Sequence, residues 1–272
     1  MKPIPVADEA VVRIDDVSRH VFGLRIGFVN LFAFRDGTGW SLADAGLYGS
    51  ATRILEWTRQ HFGAARPRAI FLTHAHFDHV GALDELIRAW DVPVYVHPAE
   101  LDYVVGGKAY PPPDPTVGGG LMSRMSTLYP RRTQKFRGDV RILPADGQLP
   151  HHDGWRWVST PGHSTGHVSF FRTEDRTLIA GDAFCTTKQE SLLAVATQRP
   201  ELHGPPAYFT TDWDQARESV RRLAALVPAH IGVGHGPALS GPAATAALRE
   251  LASRFDEVAR PRAGRYVEQP TR

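Results

Sequence analysis

The sequence has little cysteine, little excess charge of either sign and no long apolar run. Cys185 is the only cysteine among 272 residues, which excludes an intramolecular disulfide and is typical of a reducing compartment. The 31 basic and 29 acidic residues leave a formal net charge of +2, which argues against a nucleic-acid or anionic-membrane partner. No stretch could span a bilayer, and the first ten residues lack a secretory apolar segment. We therefore expect a cytoplasmic protein that acts on a small molecule.

The length and the 42% apolar content predict one α/β domain covering residues 1–272. Alternating apolar and polar residues from 11 to 44 predict a β-meander. Further along the chain, helical and strand patterns alternate. Helices are predicted at 50–62, after His79, at 213–227 and from about 242 to 258; strands are predicted at 69–72, 94–96, 140–143, 155–159, 168–171, 177–180 and 231–233.

A long insert, residues 106–138, interrupts this pattern. Glycine or proline clusters at 106–107, 111–113 and 118–120 predict that regular structure does not persist there. Such a segment inside a compact domain is typical of a lid over a substrate, although a surface loop without a role is the alternative. We favour the lid, because the flexible side chains of Met122 and Met125 would form an adaptable substrate wall.

Metal-binding side chains are concentrated directly after the predicted strand 69–72. This segment contains His74, His76, Asp78 and His79 within six residues. Imidazole nitrogens and carboxylate oxygens are ligands that zinc and related divalent ions accept. A bound cation would also compensate for burying so many polar groups. The cluster therefore predicts a metal site rather than a set of structural histidines.

Three more candidate ligands follow later strands, each in a turn that contains glycine. They are His163, Asp182 and His235. Taken singly, each is more typical of a hydrogen-bonded histidine or a turn aspartate. Together with the first cluster, they predict one site assembled at the ends of several strands.

These motifs resemble those of the metallo-β-lactamase superfamily over about residues 20–240. The resemblance rests on the His-x-His-x-Asp-His motif at 74–79, the TPGHSTGH segment at 160–167, the Gly-Asp turn at 181–182 and Gly-His-Gly at 234–236. It implies a four-layered αββα sandwich and two divalent metal ions, with zinc expected and manganese or iron as alternatives. One ion would be held by His74, His76 and His163, the other by Asp78, His79 and His235, and Asp182 would bridge them.

The resemblance also assigns Asp44 to a buried acid that orients the ligand loop, although a strand-end turn aspartate is an equal alternative. The remaining histidines are expected to be bystanders. His97 and His203 have no assigned role, and the pair His151–His152 precedes a turn signal and is expected to be exposed. His167 is expected to pack or hydrogen-bond beside the site.

The resemblance implies a hydrolase in which a hydroxide activated by two metals attacks an ester, lactone or thioester, with Asp78 and Asp182 as catalytic residues. A bridging aspartate resembles the glyoxalase II, quorum-quenching lactonase and phosphodiesterase branches more than the true β-lactamases. The lactonases are the nearest in pattern, but Cys185 stands where they carry a substrate-contacting tyrosine. Glyoxalase II is disfavoured because nothing after Gly241 is long enough for its helical extension.

Other activities and assemblies remain as alternatives. A mononuclear iron dioxygenase of the same fold would use only a subset of these ligands, and phosphodiesterase or β-lactamase activity would use all of them. The substrate wall is expected to include Phe184, Tyr208 and Phe209, unless the last two only anchor a loop. The sequence leaves the oligomeric state open, a homodimer included.

Overall fold

The computed structural model describes residues 3–37, 39–133 and 135–268. The predicted domain, 1–272, and the predicted insert, 106–138, therefore include a few residues outside this part. The strands in it are β1 (Ile4–Pro5), β2 (Val11–Val12), β3 (Val21–Ile26), β4 (Val29–Asp36), β5 (Gly39–Ala43), β6 (Ile70–Phe71), β7 (Val94–Val96), β8 (Val140–Ile142), β9 (Gln148–Leu149), β10 (His152–Ser159), β11 (Val168–Arg172), β12 (Thr177–Ile179), β13 (Glu201–Leu202), β14 (His230–Gly232) and β15 (Ala238–Ser240).

The helices confirm the periodicity of the sequence. Those described are α1 (Ala51–Phe62), α2 (Leu83–Trp90), α3 (Leu101–Val104), α4 (Leu121–Met125), α5 (Leu192–Thr197), α6 (Trp213–Ala225), α7 (Gly241–Ser253), α8 (Phe255–Val258) and α9 (Arg265–Glu268). The side chain of Asp212 accepts a hydrogen bond from Gln215 N at the start of α6, and Gly63, with φ 62°, ends α1. None of the described helices has the length and apolar content needed to cross a membrane.

The first sheet has six strands in the order β3-β4-β5-β6-β7-β8. The strands β3, β4 and β5 are antiparallel neighbours, and β5 to β8 are parallel. The predicted meander therefore exists from residue 21 onward, but the prediction is wrong for residues 11–20. There β2 pairs with β15 in the other sheet, because an alternating pattern identifies a strand without identifying its partner.

The second sheet has seven strands in the order β2-β15-β14-β12-β11-β10-β9. Only β12 and β14 are parallel in this sheet, and the other described neighbours are antiparallel. A separate two-stranded pair joins β1 to β13.

The two sheets pack face to face, with helices on both outer surfaces. Between the sheets the ring centroids of Phe34 and Trp155 are 4.6 Å apart, and those of Phe71 and Phe170 are 6.0 Å apart. Residues of α1 and α2 pack on the outer face of the first sheet, and those of α6 and α7 on the outer face of the second. The predicted four-layered αββα sandwich is confirmed.

The parallel strands position the site. In a sheet, the carboxyl ends of parallel strands lie at one edge, where loops can converge. Backbone hydrogen bonds join the two sheets there: Val168 N donates to Thr73 O at 2.9 Å, and Asn30 N donates to Gly234 O at 2.8 Å. The segments after β6, β12 and β14 therefore meet at one end of the sandwich.

The insert 106–138 is less irregular than the sequence predicts. It contains α4 and a short 3-10 turn at Ser126–Leu128, and the side chains of Tyr110 and Met122 are buried. These buried side chains order the insert, although glycine and proline limit its helices to a few residues. Two side chains of the insert, Tyr110 and Tyr129, lie against His76 and Phe77 at the end of the sandwich where the loops converge.

Candidate metal centre

The ligand loop, residues 73–79, leaves β6 and is fixed by Asp44 beneath it. Asp44 Oδ1 accepts a hydrogen bond from Thr73 N at 2.8 Å, and Asp44 Oδ2 accepts one from the Thr73 hydroxyl, also at 2.8 Å. Asp44 is buried and has φ 65°, a backbone conformation that aspartate tolerates better than most residues. The structure thus places Asp44 where the resemblance implied, with both carboxylate oxygens bonded to Thr73 of the ligand loop rather than to a turn at the end of its own strand.

The first group of candidate ligands consists of His74, His76 and His163. His76 Nδ1 lies 2.9 Å from His74 Nε2 and 2.9 Å from His163 Nε2. All three side chains are buried. The structure brings a loop of the first sheet and a loop of the second sheet together at these nitrogens.

The second group consists of Asp78, His79 and His235, again with all side chains buried. Asp182 lies between the two groups. Its Oδ2 is 3.4 Å from His163 Nε2 and 3.1 Å from His235 Nε2, and its Oδ1 is 3.4 Å from His79 Nε2. A Cβ atom at position 234 would overlap Asp182 Oδ1, which explains why glycine precedes His235.

The outward-facing ring nitrogens define which nitrogen of each histidine is free to bind a cation. The Nδ1 of His235 donates to Phe28 O at 2.8 Å, and the Nδ1 of His79 lies 2.8 Å from Asp44 Oδ2. The hydroxyl of Thr73 donates to Asp44, so we assign its oxygen as the acceptor for His74 Nδ1 at 3.1 Å. The Nε2 atoms of these three histidines then present their lone pairs to the site, whereas His76 presents its Nδ1, which lies 2.9 Å from His74 Nε2 and from His163 Nε2.

Burial keeps the first group neutral. It lowers the pKa of His163 to about 4, and it also lowers the pKa values of His74 and His76. Burial alone would raise the pKa of Asp182, but the neighbouring His235 and His79 hold it well below its usual range. The first group therefore offers neutral imidazoles and Asp182 offers an ionised carboxylate, which are the forms that bind cations. Against the effect of burial, Asp182 raises the pKa values of His79 and His235, so a bound cation would displace a proton from these two rings.

Two observations test whether these residues fit metal ions. Within each of three overlapping groups, one ligand atom from each residue lies within 4.8 Å of the others. The groups are His74–His76–His163, His74–His79–Asp182 and Asp78–His79–His235. His79 Nε2 and Asp182 Oδ1 are buried and face each other at 3.4 Å, but neither has a hydrogen-bond partner among the described residues. Unpaired polar atoms are costly in a protein interior, and a shared divalent cation would satisfy them. These residues therefore fit divalent metal ions.

His167 lies beside the centre without joining it, as predicted. Its Nδ1 is 2.8 Å from Thr160 Oγ1, and its Nε2 accepts a hydrogen bond from Asp182 N at 2.9 Å. Burial lowers the pKa of His167 to about 3, so it is a neutral support for the turn that carries Asp182.

The exposure predicted for His151–His152 is wrong for His152. His151 is exposed, but His152 begins β10 and is buried, with Nδ1 2.8 Å from Asp36 Oδ2 and Nε2 2.7 Å from Ser41 Oγ. The strand starts before the Asp153-Gly154 signal, and successive residues of a strand point to opposite faces. His97 and His203 are not in the candidate ligand groups.

Aromatic side chains cover the centre. The ring of Phe209 is 4.7 Å from that of His76, and Tyr129 of the insert is 5.7 Å from Phe77 in the ligand loop. Tyr208 packs against both Tyr129 and Phe209. Of the other predicted wall residues, Phe184 and Met122 are buried and Met125 is partly exposed.

Cys185 is buried three residues after Asp182. Its backbone pairs with that of His203, and burial raises the pKa of its thiol. Burial therefore disfavours the reactive thiolate form of Cys185.

Sequence reasoning missed Glu100, which contacts both ligand-bearing segments, and Tyr110, which contacts the ligand loop and Glu100. Glu100 follows β7 by four residues, at the same sheet edge as the ligand loop. Its place after a strand is a weak signal, because the strand-end rule alone does not distinguish Glu100 from a surface glutamate. Tyr110 had no such signal, because its position depends on how the insert folds back.

Comparison with known proteins agrees with this geometry. The metallo-beta-lactamase superfamily profile matches residues 24–235. The chain is 42% identical over 247 residues to the probable metallo-hydrolase YflN of Bacillus subtilis strain 168, covering 89% of this chain and 94% of YflN. It is 28% identical over 233 residues to the probable metallo-hydrolase YybB of the same organism, covering 83% and 91% of the two chains.

Among solved structures, TTHA1623 in a di-iron-bound form matches with a TM-score of 0.54 and 29% identity, covering 81% of this chain and 93% of that one. BLEG-1 B3 metallo-beta-lactamase matches with a TM-score of 0.57 over 88% of this chain and 93% of that one, and at 23% identity it supports the fold alone. The predicted recognition of a superfamily hydrolase is confirmed at the level of the family. On its profile match, its relatives and its metal-binding cluster, the chain belongs to the metallo-β-lactamase superfamily.

Proposed function

We propose that this protein hydrolyses an ester, lactone or thioester of a small molecule at a pair of divalent cations. The observation that carries the proposal is the position of Asp182. Its carboxylate lies within 3.4 Å of His163 in one candidate ligand group and of His79 in the other. A buried carboxylate between two complete sets of nitrogen and oxygen ligands favours two cations over one.

The residues would divide as the resemblance implies. His74, His76 and His163 would hold one cation, Asp78, His79 and His235 the other, and Asp182 would contact both. When bound, such a pair supplies a water of lowered pKa and a Lewis acid for the substrate carbonyl. Asp78, whose Oδ2 is 3.6 Å from His235 Nε2, would orient that water, accept its proton and deliver it to the leaving oxygen or sulfur.

A cavity beside the ligand loop supports an apolar substrate group. It has a volume of about 310 Å³ and borders Phe77 and Val80, which flank Asp78 and His79 in the sequence. Val104 and Phe136 contribute further apolar walls. Cavities of this size lined mainly by apolar side chains are typical of small-molecule sites. None of the seven candidate ligands lines this cavity, so it would take an apolar end of the substrate away from the reacting carbonyl.

For the cations we propose zinc, with iron and manganese as alternatives. The set of five imidazoles and two carboxylates suits all three ions, and zinc accepts it without redox chemistry. The di-iron form of TTHA1623 keeps iron as an alternative. The complete second ligand group argues against a mononuclear iron dioxygenase.

Turnover assays with metal-loaded protein test the proposal. Zinc-, manganese- and iron-loaded samples would be assayed with lactones, thioesters, aryl esters, phosphodiesters and β-lactams, and bound metal would be counted. We expect about two ions per chain and turnover of carbonyl esters, because the ligand sets are complete. His76→Ala and Asp182→Ala should lose metal and turnover together.

The exposed His151 provides a matched control. His151→Ala removes a histidine outside the centre and should keep the metal and turnover of the parent protein. One iron per chain with oxygen consumption would instead favour the dioxygenase. Full activity of Asp182→Ala would contradict the assigned ligand role, and turnover of phosphodiesters or β-lactams alone would replace the proposed substrate class.

A further inference from the structure

We propose that Glu100 is a positioning residue that sets the distance between the two ligand-bearing segments of the metal centre. Its side chain is fully buried and its carboxylate accepts four hydrogen bonds. The donors come from three parts of the chain: the ligand loop, the segment after β10 and the insert. Glu100 touches none of the candidate ligand atoms, so it would act through the backbone that carries them.

One oxygen of Glu100 holds the segment of the second sheet. Glu100 Oε1 accepts hydrogen bonds from Ser164 Oγ at 2.7 Å and from Gly166 N at 3.0 Å. Ser164 directly follows the candidate ligand His163. A Cβ atom at position 166 would press on Glu100 Cγ and Oε1, so glycine is required for this approach.

The other oxygen holds the ligand loop and the insert. Glu100 Oε2 accepts hydrogen bonds from Ala75 N at 3.1 Å and from the hydroxyl of Tyr110, and Ala75 N also donates to the oxygen of that hydroxyl at 2.9 Å. Ala75 lies between His74 and His76 in the sequence, and the ring of Tyr110 is 4.2 Å from that of His76. The same carboxylate therefore contacts the neighbours of His76 and of His163, whose nitrogens are 2.9 Å apart.

Packing alone would not require a carboxylate here. Burying an ionised group is costly, and the cost is offset only when nearly all of its acceptor capacity is used. Here it is used on backbone and hydroxyl donors beside the ligands. A glutamine at this position would keep one acceptor oxygen and turn an amide group toward two donors, so one ligand segment would lose its anchor.

The inference rests on the proposed metal centre, so the test measures metal binding as well as turnover. Cobalt(II) affinity would be determined by competition with a chromophoric chelator, and the visible spectrum of the cobalt protein would report the geometry of its ligands. For Glu100→Gln we expect roughly 10- to 100-fold weaker binding and a changed spectrum, the effect typical of residues that orient metal ligands. Ser164→Ala removes one donor to Glu100, and Tyr110→Phe removes one donor to Glu100 together with the second acceptor of Ala75 N. Each should give a smaller change in the same direction.

Glu190→Gln is the matched control. Glu190 is also a buried carboxylate, but its Oε1 accepts a hydrogen bond from Ala207 N at 2.8 Å, away from the ligand segments. It should bind cobalt(II) with the affinity and spectrum of the parent protein. An equal loss of cobalt(II) affinity in Glu190→Gln would mean that removing any buried carboxylate weakens binding through the fold. That result would overturn the positioning role of Glu100.

The outcomes separate this inference from the proposed function. If the parent binds cobalt(II) and both Glu100→Gln and Ser164→Ala stay within about twofold of it, where the expected change is tenfold or more, only the role of Glu100 is wrong. If Glu100→Gln does not fold, Ser164→Ala decides, because it leaves the carboxylate in place. If the parent binds no cobalt(II), the metal centre and the role of Glu100 fail together.

Discussion

Two regions of this protein bury histidines beside carboxylates, and they solve the same electrostatic problem differently. In the His152 corner, made of His152, Asp36 and Ser41, each ring nitrogen has one partner, at 2.8 and 2.7 Å. In the metal centre, nitrogens of several histidines point at one another, and His79 Nε2 and Asp182 Oδ1 have no hydrogen-bond partner among the described residues. Convergence with unpaired atoms, rather than burial itself, distinguishes a cation site from a structural histidine.

Metal removal should give the largest difference between the two regions. A ligand that binds only the folded state at a thousand times its Kd stabilises that state by about 4 kcal/mol. We expect a chelator to lower the free energy of unfolding by about this amount. Urea unfolding with and without chelator measures it.

The comparison supplies controls for that measurement. His76→Ala should unfold at the same urea concentration with and without chelator, because its centre no longer holds metal tightly. His152→Gln, changed in the corner alone, should keep the full chelator effect. Identical unfolding of the parent protein in both conditions would contradict a cation in the centre.

The His152 corner should respond to acid. Burial outweighs the attraction of Asp36 and lowers the pKa of His152 to about 4, from about 6.5 in the unfolded chain. The folded state therefore binds this proton less readily than the unfolded state. The stability that His152 contributes is complete above pH 6.5 and is lost as the pH falls to 4, by about 3 kcal/mol.

The difference between the parent and His152→Gln isolates this effect. Both proteins would be studied free of metal, so that protonation of the centre cancels in the comparison. The difference in unfolding free energy should shrink steadily between pH 6.5 and 4. Two curves that stay parallel over this range would show that His152 is not buried as a neutral ring.

The fold was predictable where the signal was local. Helical periodicity found α1, α6 and α7, and apolar runs found β6 and β7. Which strands pair was not predictable, because the partners are distant in sequence. An alternating pattern shows only which side chains share one face of the same strand. Residues 11–12 therefore joined the second sheet against expectation.

The candidate site was predictable for a related reason. The motif at 74–79 places four candidate ligands in one turn, and His163, Asp182 and His235 each follow a strand. Glu100 follows a strand too, but a single glutamate in a 3-10 turn does not differ from a surface residue until its donors are known. The apolar cavity depends on the insert 106–138, whose path glycine and proline leave undetermined in sequence.

The smallest expected effect concerns Asp44. Both Asp44 and Asp36 are paired to a histidine, but Asp44 is buried under the metal centre. Asparagine tolerates the positive φ of 65° at this position, so Asp44→Asn keeps the backbone. Its amide group would replace one acceptor for Thr73 or His79, which loosens the orientation of the His79 ring. We expect metal affinity to fall roughly 10- to 100-fold, about 1.4 to 2.7 kcal/mol.

Asp36→Asn makes the matching change in the His152 corner and should leave metal affinity unaltered while lowering the free energy of unfolding. Chelator competition on both variants measures the contrast. Equal losses of affinity would mean that the two aspartates serve the fold in the same way. An effect confined to Asp44→Asn would show that the acid beneath the ligand loop controls the metal through the tautomer of His79, because only there does the paired histidine aim its other nitrogen at the centre.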